Sequence, residues 1–252
     1  MTSANNNRIN YPLSSSSSEI LQQVAGLNDQ GICQLMVHDT RIALSYFTKA
    51  LTILQQEISK AQEDAVSNED WMQSPICLSA SIPGLLNEQA DESGGLFVHS
   101  KAFSLQIIGN DISSVPGTQH LAAMAILFNI ALTYHLHGAK HQQMACVEKA
   151  FRFYQVCSGE IISSSAVIID PTSCLFVSLA CRNNQAQIQY HYLGNKAMAA
   201  QLACQLQQQL KLFAVVTTDA CKDNNNVVQL IDEMLLNVHM LIRARSMAAS
   251  AA

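Results

Sequence analysis

The sequence predicts an all-α fold of about seven helices, stacked as antiparallel helix hairpins, with one small inserted β-hairpin. Apolar residues recur every three to four positions through most of the chain. Small residues at Gly31 and Ala50 have a spacing that lets two neighbouring helices pack closely. The 252 residues are 49% hydrophobic, which is enough to bury a core over most of the length. We therefore expect one helical domain at 19–250, after a disordered Ser- and Asn-rich arm at 1–18.

The first two predicted helices form a hairpin. Apolar residues recur at helical intervals over residues 19–37. The pattern then breaks, and Asp39 or Thr40 can cap the N-terminus of a second helix that runs to about Asp64. A short connection of this kind makes the two helices antiparallel neighbours.

Two further hairpins are predicted along the chain, the third more weakly than the second. Ala131 and Ala150 stand at the same separation as Gly31 and Ala50. The run Tyr134-His135-Leu136-His137-Gly138 is echoed by Tyr190-His191-Tyr192-Leu193-Gly194. Because Gly commonly ends helices, we expect Gly138 and Gly194 each to close the first helix of a hairpin.

In this register the chain resembles a tetratricopeptide repeat (TPR), whose small residues at positions eight, twenty and twenty-seven let its two helices pack closely. Counted from Val24, those positions are Gly31, Ala43 and Ala50. The copy counted from Met124 departs from the pattern at position twenty, and the copy counted from Ala180 departs at positions eight and twenty-seven. The copies are separated by insertions. The resemblance implies a TPR-like stack of helix hairpins.

Two segments lie outside the repeats. Residues 71–117 are rich in Pro, Ser and Gly and contain short alternating apolar runs at 76–82 and 96–108, which predict the inserted β-hairpin. Residues 226–245 have apolar residues at helical spacing and an Ala-rich tail. This segment is typical of a terminal helix that caps the last apolar face of a stack.

The resemblance implies a concave binding groove on the first helix of each repeat. Carried over position by position, it gives an apolar surface whose candidate residues are Asn28, Ile32, Leu35, Met36, Phe128, Leu132, His135, Leu136, Asn184, Ile188, His191 and Tyr192. Such a surface must be covered. One interpretation is that the inserted hairpin or the C-terminal helix fills the groove, and the other is that a partner's helix or peptide lies in it.

The best-known TPR groove holds the C-terminal carboxylate of a chaperone with Lys at position five and Asn at position nine. Here Asn28 and Ile32 occupy these places in the first copy, and the later copies also lack the pair. We therefore expect no chaperone carboxylate clamp.

Other function classes lack their minimum residues. A net charge of −5 without a basic stripe disfavours nucleic acid and membrane surfaces. The eight cysteines include no C-x-x-C pair, and His135, His137 and His141 would not converge on a metal, so we expect reduced thiols and no metal or cofactor. Phosphate-binding, zinc-hydrolase and serine-nucleophile motifs are absent from the sequence.

The sequence therefore predicts a protein-binding adaptor or scaffold with no catalytic activity, placed in the cytoplasm with the nucleus as the alternative. Two other hypotheses stay open. One is a self-associating structural subunit whose groove closes a dimer, and the other is an enzyme that pairs a Cys with a His in space.

Overall fold

Helices make up most of the chain in the computed structural model, which describes residues 15–64, 76–79, 98–107, 116–163, 171–216 and 225–250. The described residues contain seven helices and two short strands. The helices are α1 (Ser15–Met36), α2 (Thr40–Asp64), α3 (Pro116–His141), α4 (Met144–Ser163), α5 (Pro171–His191), α6 (Lys196–Val216) and α7 (Asn225–Ser250), and the strands are β1 (Ile76–Ser79) and β2 (Ser104–Ile107).

The helical class and the helix number agree with the prediction, while two boundaries differ. Helix α1 begins at Ser15, inside the segment predicted to be a disordered arm, and residues 1–14 of that arm lie outside the described residues. Helix α7 continues to Ser250 because its Ala-rich end favours a helix, where we predicted an end near Arg245.

Consecutive helices pack against each other along the whole stack. Within the pairs, α1 contacts α2, α3 contacts α4 and α5 contacts α6. Between the pairs, α2 contacts α3 and α4 contacts α5, and α6 contacts the last helix, α7. Helix α3 also contacts α1 and α5, so these three helices form an inner row. We call the side of the stack formed by α1, α3 and α5 the inner face.

The central position of α3 explains its apolar sequence. Its residues Gln119–His141 are long and apolar enough to cross a bilayer, and 72% of the most apolar window is buried inside the protein. Core helices of soluble proteins and membrane helices both meet that criterion of length and composition. Within this helix Asn129, Thr133 and His135 are buried polar residues.

The turn inside each helix pair contains one residue in the left-handed region. These residues are His38, Gln142 and Gly194, with φ of 63°, 53° and 64°. After α1 and α3 the turn closes with the same long backbone bond, from Asp39 N to the Gln34 carbonyl and from Gln143 N to the Gly138 carbonyl, both 2.9 Å. This pattern is the Schellman ending of a helix.

The close contacts inside the hairpins depend on glycine. A Cβ placed on Gly31 would lie 2.5 Å from Cε1 of Phe47, a ring that is fully buried on α2. A Cβ on Gly138 would lie 2.7 Å from Cγ2 of Val147 on α4. The prediction that Gly138 ends its helix was wrong: α3 continues to His141, and Gly138 allows the close approach of α4 instead. Gly194 does lie in a turn after α5.

The predicted β-hairpin is not supported. The two strands are four residues each and pair antiparallel, with Ile76 opposite Ile107 and Ser79 opposite Ser104. Residues 98–103, which we placed in the second arm, have no strand structure. They pack into the helical core instead, as described below, and residues 80–97 of the predicted insertion lie outside the described part of the chain.

The last helix, α7, packs against α6 at the end of the stack. Its buried apolar residues Met234, Val238 and Leu241 lie on one side of the helix. Asn237 between them is also buried and donates a hydrogen bond of 2.6 Å to Oδ1 of Asn183 on α5. Helix α7 is therefore linked to α5 by a polar contact as well as to α6 by apolar packing.

Candidate functional site

The inner face holds a segment of the same chain. Residues 98–105, which we call the inner segment, run from α5 past α3 to α1 and continue into β2. Four of its side chains are buried, namely His99, Ala102, Phe103 and Leu105. Residues 98–103 have neither helix nor strand structure. At His99 and at Phe103 the N–H and C=O of the same residue bond to a single side chain, as they do in an extended residue of a β-ladder.

Asn129 of α3 holds both backbone groups of Phe103. Its Oδ1 accepts a hydrogen bond from Phe103 N at 2.8 Å, and its Nδ2 donates to the Phe103 carbonyl at 2.9 Å. Asn28 of α1 donates to the same carbonyl at 2.8 Å and accepts a hydrogen bond from Asn129 at 2.9 Å. Both asparagines are fully buried. We call this arrangement the Phe103 amide clamp.

Asn184 of α5 makes the corresponding contacts with His99. Its Oδ1 accepts a hydrogen bond from His99 N at 2.7 Å, and its Nδ2 donates to the His99 carbonyl at 3.0 Å. The same Nδ2 donates to the hydroxyl of Tyr154 on α4 at 3.0 Å. We call this arrangement the His99 amide clamp. Two neighbouring inner helices thus each bind one residue of the inner segment through its backbone.

The His99 amide clamp is connected to the last helix of the stack. Asn183 of α5 donates to Oδ1 of Asn184 at 3.2 Å, and it accepts the hydrogen bond from Asn237 of α7. All three asparagines are buried. A buried amide without a partner costs about 1–3 kcal/mol, so the hydrogen bond from Asn183 adds a constraint on the orientation of Asn184.

The side chains of the inner segment fill an aromatic cluster. The rings of His99 and Phe103 stack with centroids 5.6 Å apart. Phe128 of α3 meets Phe103 edge to face at 4.8 Å, and Phe176 of α5 does so at 5.8 Å. Edge-to-face contacts of this kind add about 0.5–1.5 kcal/mol beyond the burial of apolar area. The cluster selects the side chains of the segment, whereas the clamps bind only its backbone.

One polar contact of the inner segment, at the rim of the inner face, is open to solvent. Ser104 donates from its hydroxyl to Oδ1 of Asp29 on α1, at 2.7 Å. Asp29 is exposed and Ser104 is half-buried. This contact secures the end of the inner segment without a role in the buried core.

Two histidines are buried in or beside this site, and both have strongly lowered pKa values. The pKa of His99 is lowered from 6.5 to about 3, mainly by burial and also by the charge of Lys101, while a hydrogen bond with the Lys101 backbone acts the other way. Burial lowers the pKa of His135 to about 4, opposed by Gln187. None of their ring nitrogens makes a hydrogen bond of normal geometry with the described residues. Both rings are therefore neutral at pH 7.

The structure places the twelve sequence-predicted groove residues in three environments. Buried are Asn28, Ile32, Leu35, Phe128, Leu132, His135, Asn184 and Ile188; half-buried are Leu136 and Tyr192; exposed are Met36 and His191. Asn28, Phe128 and Asn184 contact the inner segment directly. His135 and Tyr192 pack against each other with ring centroids 6.0 Å apart. Whether these residues bind a partner remains a prediction.

Sequence reasoning missed the residues that bind the segment most closely. The sequence pattern assigns no role to Asn129, and it places His99 and Phe103 in a strand of the predicted hairpin. A lone amide in an otherwise apolar helix is a usable signal, because buried amides are nearly always hydrogen-bonded. The partner could not be inferred, since the inner segment is distant from Asn129 along the sequence.

The remaining His, Cys, Asp and Glu side chains form no group of three that could hold a metal ion among the described residues. His137 and His141 lie with ring centroids 4.5 Å apart, and Thr40 contacts Nδ1 of His137 at 3.0 Å, which ties α2 to α3. Burial raises the pKa of the Cys181 thiol well above its usual range. The cysteines without a disulfide bond include Cys33, Cys146, Cys157, Cys174, Cys181 and Cys204.

Comparisons of the chain with known protein families, with curated proteins and with solved structures find no match. The geometry of the inner face is therefore the basis for a functional proposal.

Proposed function

We propose that the protein is an interaction scaffold whose inner face binds an extended polypeptide segment. The observation that supports this proposal is the pair of amide clamps, in which Asn129 and Asn184 each bind the N–H and C=O of one residue. Backbone hydrogen bonds give affinity for an extended chain, and adjoining pockets give specificity. The aromatic cluster around Phe128 and Phe176 is such a pocket.

We further propose that the stack is TPR-like. Three helix pairs with similar turns, a row of first helices that contact one another, and a glycine-dependent contact inside each of the first two pairs support this assignment. In TPR proteins the first helices of the repeats line the concave face. The helices that hold the inner segment are the first helices of the three pairs here.

The proposal is tested by selecting peptides against the full chain. A phage library of random twelve-residue peptides is selected on the wild-type protein, and enriched peptides are mapped by hydrogen exchange. We expect peptides that increase exchange in residues 98–105 and leave the outer surface of α2 unchanged. The control is the variant Arg41→Ala/Lys49→Ala on that outer surface, which should bind the peptides equally well. Failure to enrich any peptide, or enrichment only of peptides that protect α2, would contradict the proposal.

A second candidate function is self-association through α7. Leu235 and Leu236 are 44% and 45% exposed and adjacent on this terminal helix, so they form an exposed apolar pair. Light scattering at increasing protein concentration distinguishes the two candidates. A dimer that Leu235→Lys/Leu236→Lys dissociates would favour the structural subunit, and a monomer at all concentrations would favour the scaffold.

A further inference from the structure

The contacts that hold the inner segment can be supplied by another polypeptide. Both amide clamps bind backbone atoms, which every non-proline residue provides. Residues 98–103 of the segment have no helix or strand and are joined to the fold by the amide clamps and ring contacts, while Ser104 and Leu105 also pair with β1. A foreign extended segment could therefore make the same hydrogen bonds.

The buried positions define the side chains that such a segment must carry. His99 and Phe103 place rings in the aromatic cluster, Ala102 is fully buried, and Leu105 is nearly so. The positions between them, at residues 100 and 101, are only half-buried. The fitting pattern is thus aromatic, two variable residues, small, aromatic, one variable residue, apolar. A charge at any of the four buried positions would be strongly disfavoured.

We infer that the inner face is a binding site for an extended segment of a partner protein with this aromatic and apolar pattern, and that residues 98–105 occupy the site as a competing internal ligand. This inference rests on the proposed function and specifies its ligand and its regulation. A tethered competitor has an effective concentration of about millimolar. The partner's apparent affinity equals its intrinsic affinity multiplied by the fraction of molecules in which the inner segment has left the site.

The hydrogen bond between Ser104 and Asp29 can be changed to weaken the binding of the inner segment without altering a buried side chain. In the variant Ser104→Asp, a carboxylate replaces the hydroxyl that donates to Asp29, so that two negative charges face each other at a site open to solvent. The repulsion acts on the end of the inner segment. In Ser104→Asp/Asp29→Asn one of the charges is removed, and the segment should return to its site.

The probe is a fluorescein-labelled peptide with the sequence of residues 98–107, and binding to the full chain is measured by fluorescence anisotropy. We expect the peptide to bind Ser104→Asp at least fivefold more tightly than it binds the wild type, and the double variant to return to within twofold of the wild type. A control peptide with Phe103→Asp should bind none of the three proteins. Circular dichroism melting shows that each variant is folded, and Ser104→Ala, with an expected twofold gain, replaces Ser104→Asp if that variant unfolds.

Three results would overturn the inference. Absence of peptide binding to all of the proteins would mean that the inner segment cannot be replaced in trans. If the peptide bound the wild type and both variants with equal affinity, its binding site would lie outside the inner face. A dimer of Ser104→Asp in light scattering would make a second copy of the chain the occupant instead of a partner. Peptide selection on the wild type remains a separate readout, because foreign peptides could bind the inner face even where the chain's own peptide does not.

Discussion

The contacts inside the helix hairpins and the contacts of the inner face are built on different physical principles. Inside the first hairpin, α1 and α2 meet through apolar surfaces that fit only because Gly31 lacks a side chain opposite Phe47. On the inner face, α3 and α5 meet the inner segment through amides that bind its backbone. The contact between α1 and α2 depends on the fit of their shapes, and the contact of α3 and α5 with the inner segment depends on hydrogen bonds and aromatic packing. As inferred above, an equivalent segment of another chain can therefore replace the inner segment, whereas nothing can replace α2 in its contact with α1.

The largest expected effect of a single substitution is at the inner face. Phe103→Ala removes a ring that is 1% exposed and contacts two phenylalanines. Substitutions of this kind cost about 3–5 kcal/mol, so urea denaturation should give a free energy of unfolding lower by that amount. The matched control is Phe153→Ala on α4, where the ring is half-buried against Tyr134 and the loss should be smaller. If both variants lost the same free energy of unfolding, the Phe103 ring would contribute no more to stability than a half-buried ring at the surface.

Acid should weaken the protein through the buried histidines. His99 and His135 have pKa values of about 3 and about 4 in the folded chain and near 6.5 when unfolded. At pH values between the folded and the unfolded pKa, the unfolded state binds more protons than the folded state. The contribution of these histidines to the free energy of unfolding is therefore constant above about pH 7 and falls as the pH drops below about 6.5. The loss by pH 5 is on the order of 2 kcal/mol for each histidine.

The variant His99→Phe separates the two histidines. It removes the titrating group from the inner segment and keeps an aromatic ring in the cluster. About half of the loss between pH 7 and pH 5 should disappear in urea titrations of this variant. An unchanged pH dependence would show that the ring of His99 is not buried in the folded protein.

The hairpin contact is tested by a pair of glycines on the same helix. Gly31→Ala forces a methyl group against the Phe47 ring and should cost about 1–3 kcal/mol. Gly26 has no atom within 4 Å of the added Cβ, so Gly26→Ala should stabilise α1 by roughly 1 kcal/mol through helix propensity alone. Thermal melts should therefore shift in opposite directions. A gain in stability at both positions would mean that the α1–α2 contact is looser than described.

The smallest expected effect concerns the hairpin turns. Asp39 and Asn195 cap α2 and α6 by accepting from the backbone N–H of Ile42 and Met198, at 3.0 and 3.1 Å. Gln143 stands in the same place before α4. Because Asp is a much better cap, Gln143→Asp should raise the free energy of unfolding by about 0.5–1 kcal/mol. The control Asp39→Ala should lower it by about 1 kcal/mol, and a loss in both variants would indicate a different turn before α4.

The helices could be predicted from the sequence, whereas the inner face could be predicted only in part. Helical periodicity, the Asp39 cap and the spacing of Gly31 are local signals, and each led to the correct element. The role of Gly138 was misjudged, because a glycine that ends a helix and one that admits a neighbouring helix look alike without the neighbour. Asn28 and Asn184 were placed on the inner face by the repeat register. Their hydrogen-bond partners come from a distant segment with strand-like composition, and no local pattern reveals that contact.

Hydrogen exchange of two backbone amides tests the central claim most directly. The N–H groups of His99 and Phe103 are bonded to Asn184 and Asn129 at 2.7 and 2.8 Å, so both should exchange slowly and at a common rate set by opening of the inner segment. In Asn129→Ala the protection of Phe103 should fall much more than that of the hairpin helices. Exchange of both amides at unprotected rates in the wild type, or a Phe103 rate that is unchanged in Asn129→Ala, would contradict the account.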